Sequence, residues 1–239
     1  MWWFFKYGYW GGGNRLKGMT PERYRRCIRQ WDEVFARESD DVPTAPETGN
    51  LELNEALSWL CKQSETVLDF GCGNGTLLFC CALLGTKRHI GVDLSARAVE
   101  KATQRSGRMQ GGSFAFFPGG VERLEQIGTG SADAIILSNI IDNLYPDDAE
   151  MLAKESRRIL KPAGKVLIKL NPYLTKQQIR LWNADVIEGD LLDDGLLLLN
   201  RTTREWETFL KRFFMIERYV ELWYPAYKQT NRLFYLRRQ

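Results

Sequence analysis

The chain has 239 residues, 44% of them hydrophobic and 26% charged, which are ordinary globular values and exclude disorder or a collagen-like repeat. His89 is the only histidine, and the five cysteines form no CxxC pair, which argues against a histidine-based metal centre, a Ser-His-Asp triad and a disulfide framework, so no metal is expected. The net charge of +3 is uneven, with basic ends and an acidic middle, but charges of both signs alternate at each end as on solvated helix faces, which disfavours nucleic acid as a partner.

No apolar run approaches the roughly 18–20 residues that span a bilayer. Met1–Trp10 lacks the basic-then-apolar order of a signal peptide, so a cytoplasmic protein without membrane contact is expected. Thr20-Pro21-Glu22 places a capping Thr, a Pro at the first helical position and an acid at the positive helix end, predicting a helix to about Glu38. Pro43, Pro46 and Gly49 mark a loop before helical spacing resumes over Leu51–Cys61.

A strand–helix alternation follows. Strands are predicted at Thr66–Phe70, Arg88–Asp93, Ser113–Phe117, Ala132–Leu137 and Lys165–Leu170. Helices are predicted at Thr76–Leu84, Ser95–Gly107 and Pro146–Leu160, the last stopped by Lys161-Pro162-Ala163-Gly164. Alternation at this pitch implies parallel strands joined by right-handed crossover helices. In the last third, Asp185–Leu192 and Leu196–Asn200 flank a turn at Asp193-Asp194-Gly195. Thr202 and Glu205 have capping-box spacing, and Phe213–Trp223 and Arg232–Arg237 read as an antiparallel pair. The expected organisation is one domain: a helical cap over 1–62, a nucleotide-binding core over 63–171, and a C-terminal hairpin, helix and two strands over 172–239.

The chemistry concentrates in Val67-Leu68-Asp69-Phe70-Gly71-Cys72-Gly73-Asn74-Gly75, where a strand ends in a glycine-rich turn before a helix. Such a turn brings backbone N–H groups close to a ligand at the positive helix end. Thr76 stands where a dinucleotide-binding G-x-G-x-x-G loop has its third glycine. Asp69, two residues before the first glycine, would gain nothing from a diphosphate and suits a ligand with an amino group or sulfonium. Asp93 ends the second strand, where a carboxylate can accept hydrogen bonds from both hydroxyls of a ribose.

At these residues the chain resembles the class I S-adenosylmethionine-dependent methyltransferases. Asp69–Gly75 reads as their D/E-x-G-x-G-x-G signature, Asp93-Leu94-Ser95 as the acidic end of the second strand, Ala132–Asn139 as the fourth-strand motif, and Leu160–Ile168 as the turn and fifth strand. The resemblance implies a seven-stranded, mostly parallel Rossmann-like α/β sheet with helices on both faces and an antiparallel last strand. It implies S-adenosyl-L-methionine as cofactor, with Asp69 near the methionine amino end and the backbone of Gly71, Cys72, Gly73 and Gly75 along the ligand. Asp93 would hold the ribose, Leu94 would lie against adenine, and Ser138 and Asn139 would line the methionine side.

One departure concerns the third strand, where Gly120 stands in place of the family's adenine-binding Asp; Val121 can offer its N–H, and Glu122 is a candidate acceptor for the amine. Asn171-Pro172-Tyr173 resembles the N-P-P-Y motif of amino-methylating enzymes but follows the fifth strand instead of the fourth, so that reading is rejected. Methyl transfer from a sulfonium depends mainly on orientation in a dry site. If a base is used, Asp142 is the first candidate and Tyr173 the second. A small-molecule acceptor is expected. The alternatives are an RNA or protein acceptor gripped by the basic ends Arg15–Arg29 and Arg201–Arg238, and a catalytically silent protein that only binds the cofactor.

Overall fold

The computed structural model describes residues 23–239 except Asp194. The Thr20 cap, the aromatic Met1–Trp10 segment and the Asp194 part of the expected turn lie outside the described residues. Seven α-helices are described: α1 (Arg25–Arg37), α2 (Leu51–Cys61), α3 (Thr76–Leu83), α4 (Ala96–Ser106), α5 (Pro146–Ile159), α6 (Lys176–Leu181) and α7 (Thr203–Leu210). The first eight strands are β1 (Thr66–Phe70), β2 (Arg88–Asp93), β3 (Ser113–Pro118), β4 (Ala132–Ser138), β5 (Leu160–Leu170), β6 (Asp185–Glu188), β7 (Leu191–Asp193) and β8 (Leu197–Leu199). Two longer ones, β9 (Phe214–Tyr224) and β10 (Gln229–Arg238), complete the set.

The main sheet has the order β3-β2-β1-β4-β5-β10-β9. Strands β1 to β5 run parallel, and β10 lies antiparallel between β5 and β9. Strand order reverses between β1 and β4, and in open α/β sheets the crevice at the carboxyl ends of such strands is where ligands bind.

Helices cover both faces because both faces are apolar. Leu68, Ile135, Leu137 and Ile168 pack with α5 and with Trp206, Phe209 and Leu210 of α7. Val67, Ala134, Ile136, Leu167 and Leu233 pack on the other face against α2 and α3. Every residue of β1 is buried, as expected for a central parallel strand. Local signals agree: Ser95 caps α4 by accepting from Ala98 N, and Thr202 and Glu205 form a complete capping box on α7. Among the described residues no helix is long and apolar enough to cross a membrane.

Two expectations needed correction. Strand β5 starts at Leu160, which pairs with Ala132, so 161–164 do not end the preceding element; they form an irregular step before Ala134 pairs with Lys165. Pro162 lacks an N–H and Ala163 is left-handed (φ 57°), which breaks the ladder without breaking the strand. Asp185–Leu192 is not one strand. It folds between β6 and β7, where Gly189 is left-handed (φ 58°), giving the three-stranded sheet β6-β7-β8.

Candidate active site

The glycine loop after β1 is held open by its neighbours. Gly71 N and Cys72 N both donate to Val92 O (2.8 and 3.1 Å), which fastens the loop to the end of β2. Gly71 and Gly73 are left-handed (φ 77° and 53°), and both are crowded. A Cβ on Gly71 would meet Ile140 Cγ1 at 2.9 Å, and one on Gly73 would meet Phe35 Cζ at 2.8 Å. Neither position has room for a side chain. Gly75 ends the loop as the residue preceding α3.

Asp93 lies beside this loop. Its Oδ2 accepts from Gly73 N (2.8 Å) and its Oδ1 from Ser95 N (2.8 Å). Burial pushes its pKa up to about 6 despite those two donors, and Asp32 adds to the rise. Asp69 is more confined: it is 1% exposed, and its Oδ1 is buried with no hydrogen-bond partner. Burial, reinforced by Asp93, raises its pKa well above the usual carboxylate range. An orphaned carboxylate oxygen next to a second acid is a place that favours a donor-bearing or cationic ligand group. Cys72 is a buried thiol, its pKa raised by burial and by both acids, which makes it packing rather than a nucleophile.

Helix α1 closes one side of the crevice. Trp31 and Phe35 stack (centroids 5.7 Å apart), and Ser95 Oγ donates to Asp32 Oδ1 (2.5 Å). Past the helix, Asn74 Nδ2 donates to Glu38, and Lys101 Nζ donates to the carbonyls of Phe35 (3.1 Å) and Glu38. Arg105 joins the same layer, donating to the Asp41 carbonyl, to Asn74 O (2.5 Å) and to Thr76 Oγ1 (3.0 Å). The segment 32–41 is thus clamped to the glycine loop and α4.

At the β3 end, Gly119 N donates to Asp93 O (2.9 Å) and Gly120 N to Glu122 Oε1 (2.7 Å). Glu122 therefore turns back on its own loop. Val121 is buried, and Leu94 is partly buried against the same core. Ser138, the last residue of β4, and Asn139 after it are half-buried; Asn139 is left-handed (φ 53°), its N–H donating to Lys169 O (2.7 Å) and its Oδ1 accepting from Asn231 Nδ2 (3.4 Å).

The two expected base candidates are placed differently. Asp142 is fully buried, and its Oδ2 accepts from Asn171 N (2.6 Å) and Asn171 Nδ2 (3.2 Å). Burial pushes its pKa up to about 6 against those bonds and the charge of Arg232. Arg232 donates from Nε and Nη2 to Asn171 O (3.0 and 2.9 Å), so acid and guanidinium grip one residue of the loop after β5. Tyr173 on that loop is 41% exposed. His89 is remote, at the start of β2, between Thr86 Oγ1 (2.7 Å) and Ser113 O (3.0 Å).

Residues 67–164 match the family model described as a methyltransferase domain. Residues 67–164 are thus similar to a methyltransferase domain, and they include the central strands of the sheet described above. Over 117 residues it is 32% identical to a ribosomal protein L11 methyltransferase of Pseudomonas fluorescens, covering 47% of this chain and 37% of that protein. The one from Chromobacterium violaceum is 28% identical over 158 residues, 59% of this chain and 49% of that protein. The chain thus spans less than half the length of these relatives. Among solved structures, the 1,6-didemethyltoxoflavin-N1-methyltransferase of Burkholderia thailandensis superposes with a TM-score of 0.65 at 16% identity, covering 95% of this chain and 93% of that one. The N-methyltransferase NodS of Bradyrhizobium japonicum gives 0.62 at 16% identity over 88% and 98%. At these identities the likeness shows the fold.

Sequence reasoning missed three buried residues at the carboxyl edge: Lys169, Asn231 and Arg232 (3%, 0% and 4% exposed). Lys169 interrupts the apolar run over 166–170, which was the available signal, whereas Asn231 and Arg232 stand in the polar start of β10, where nothing marked them.

Proposed function

We propose that the protein transfers a methyl group from S-adenosyl-L-methionine to a small-molecule acceptor. The observation that carries this reading is the conjunction of the domain match with a buried, unpartnered Asp69 oxygen and the Asp93 carboxylate at one glycine loop. The residues fit the cofactor. Asp69 would face the methionine amino end, Gly71 to Gly73 would run beside the ligand, and Asp93 would accept from the ribose hydroxyls. Leu94 and Val121 would border adenine, and Ser138 and Asn139 the methionine side. When bound, the cofactor supplies an electrophilic methyl group on a sulfonium.

The chain's own residues would supply position and dryness. Phe35 and Trp31 border the ligand path, and aromatic faces attract cationic groups. Asp142 acts through Asn171, holding the loop that carries Tyr173, so its proposed place is as a positioning residue at the acceptor edge. A small acceptor suits this edge because its polar side chains are enclosed: Asp142, Lys169 and Asn231 are at most 3% exposed. A protein acceptor is the second reading, favoured by the names of the L11 methyltransferase relatives.

Isothermal titration with S-adenosylhomocysteine tests the cofactor assignment. Charge-assisted hydrogen bonds contribute about 1.5–3 kcal/mol, so Asp93→Ala should weaken binding by about tenfold or more. Equal affinity of wild type and variant would remove Asp93 from the site. No binding by the wild type would remove the methyltransferase reading.

A further inference from the structure

Asn74 stands near the end of the glycine loop, and neighbours on several elements hold it. The peptide joining it to Gly75 is fixed at both ends: Gly75 N donates to Cys72 O (3.0 Å), and Asn74 O accepts from Arg105 Nη1 (2.5 Å). Its side-chain oxygen accepts from Thr76 Oγ1 (2.7 Å), and its side-chain amide donates to the Glu38 carboxylate. Arg105 also donates to Thr76 Oγ1 (3.0 Å), so one guanidinium sets both the turn 72–75 and the first residue of α3. Gly73, inside that turn, gives its N–H to Asp93 (2.8 Å).

The same guanidinium grips the chain that leaves α1. Its Nε and Nη2 both donate to the Asp41 carbonyl, the former at 3.0 Å. Arg105 lies on α4 and is 4% exposed, and these acceptors are uncharged oxygens. Burying a guanidinium on uncharged acceptors is costly, and burial lowers its pKa against the attraction of Glu38, Asp40 and Asp41. An exposed ion pair would brace α4 to the same segment without that cost. What the buried fork adds is one rigid plane that sets the carbonyls of Asp41 and Asn74 against each other. Lys101, one turn earlier on α4, donates to the carbonyls of Phe35 (3.1 Å) and Glu38 and pairs with Asp40 (3.2 Å), so it holds the end of α1 and the same segment.

On the reading of this protein as a methyltransferase, we propose that Arg105 is a positioning residue for the cofactor and makes the segment 38–41 a working part of its site. With that segment seated, Asp41 holds the guanidinium, which presents Nη1 to Asn74 and fixes the turn whose backbone runs beside the ligand. With it lifted, Nε and Nη2 lose their acceptor, and the fork no longer holds Asn74 in one place. A loop set in advance spares binding the cost of ordering it. Seating of 38–41 and binding of the cofactor therefore strengthen each other, and by linkage each does so by the same factor. Arg105 acts through the shape of the loop and needs no contact with the ligand.

Wild type is first titrated with S-adenosylhomocysteine; failure to bind defeats the methyltransferase reading, and the proposal with it. Amide hydrogen exchange of wild type with and without S-adenosylhomocysteine then reads the linkage. Exchange should slow at 71–76 and, by about fivefold or more, at 38–41. Slowing confined to 71–76 overturns the proposal without any variant. Arg105→Met should weaken S-adenosylhomocysteine binding by about tenfold and, at saturating ligand, leave exchange at 38–41 unslowed. Slowing at 38–41 that survives in Arg105→Met would mean that the ligand reaches the segment directly, and it too overturns the proposal. Lys101→Met, which loosens the segment alone, supplies the readout that a mere brace would not move. It should weaken binding by about fivefold in the wild-type background and by less than about twofold in Arg105→Met. Equal factors in the two backgrounds would reduce Arg105 to a brace for the fold.

Discussion

The ring of Phe35 rests on Gly73, so closely that a methyl group added to that glycine would stand 2.8 Å from Cζ. This contact joins α1 to the middle of the glycine loop. Gly73→Ala should therefore carry two costs: roughly 1–2 kcal/mol for a left-handed non-glycine residue, and the displacement of Phe35. In a Phe35→Ala background only the first remains. Denaturant unfolding of both single variants and the double variant should show a coupling of about 0.5 kcal/mol or more. Simple additivity would mean that the ring does not bear on the loop.

A pH dependence follows at Asp93. Its folded pKa, raised to about 6, exceeds the ordinary value of 3.8, so the fold binds this proton more tightly than the unfolded chain does. The group therefore destabilises the fold progressively as pH rises from about 4 to about 6, and the effect levels off above that. Asp93→Asn removes the titration. Its thermal stability relative to wild type should increase over that window. S-adenosylhomocysteine affinity of wild type should move the opposite way, rising as the carboxylate ionises. A difference in melting temperature that is flat across pH 4–7 would contradict the assignment.

Asp142 and Tyr173, the two base candidates, separate in one experiment. If Asp142 holds Asn171 and does not take the acceptor proton, Asp142→Asn should lower the melting temperature while leaving the shape of the pH–rate profile unchanged. The expected cost is about 1–3 kcal/mol, from a buried charge-assisted bond replaced by a weaker one. Loss of a limb of the profile in Asp142→Asn would make it the base. Tyr173→Phe should leave stability unchanged, since the residue is 41% exposed.

Tyr24 ties the start of α1 to the start of α5. Its hydroxyl donates to Asp148 Oδ2 (2.7 Å) and accepts from Tyr145 N (2.9 Å), while the ring is 2% exposed. Tyr24→Phe keeps the packing but leaves Asp148, among the described residues, with only the long Arg23 contact (3.5 Å) and removes the acceptor of the Tyr145 N–H. It should cost about 1–3 kcal/mol, a fall of a few degrees in melting temperature for a domain this size. An unchanged melting temperature would show that water replaces the hydroxyl.

The fold was largely legible because each parallel strand announces itself twice, as an apolar run and as the partner of the helix that follows. The position of Asp69 and Asp93 at the glycine loop was legible for a related reason: each acid stands at the carboxyl end of a parallel strand, where the loop must pass. Asp133 is a contrasting case: in the sequence it is simply an acid near the start of its strand, far from the glycine turn. In the fold its carboxylate accepts from Glu65 N (3.1 Å) and Thr66 N (2.8 Å) and pairs with Lys161 (2.6 Å), so removing it would loosen the start of β1. The hold of Lys101 and Arg105 on the segment after α1 was not legible, since surface-type cations carry no mark of a partner sixty residues away. The meeting of Ser138, Lys169 and Asn231 was hidden too, because they come from three strands and come together only through the register of the sheet.

The placement of β10 has a consequence for biosynthesis. It pairs with β5 along Lys165–Leu170 and with β9 along its whole length, yet it is made after both. At about 5–20 residues per second, residues 171–228 occupy the ribosome for roughly 3–12 s after β5 is complete. Through that interval β5 presents an unpaired edge of Val166, Leu167 and Ile168, a template for strands of other chains. Yield of native protein should accordingly depend on how well that edge is shielded while translation continues, and slower growth at lower temperature or chaperone co-expression should raise it.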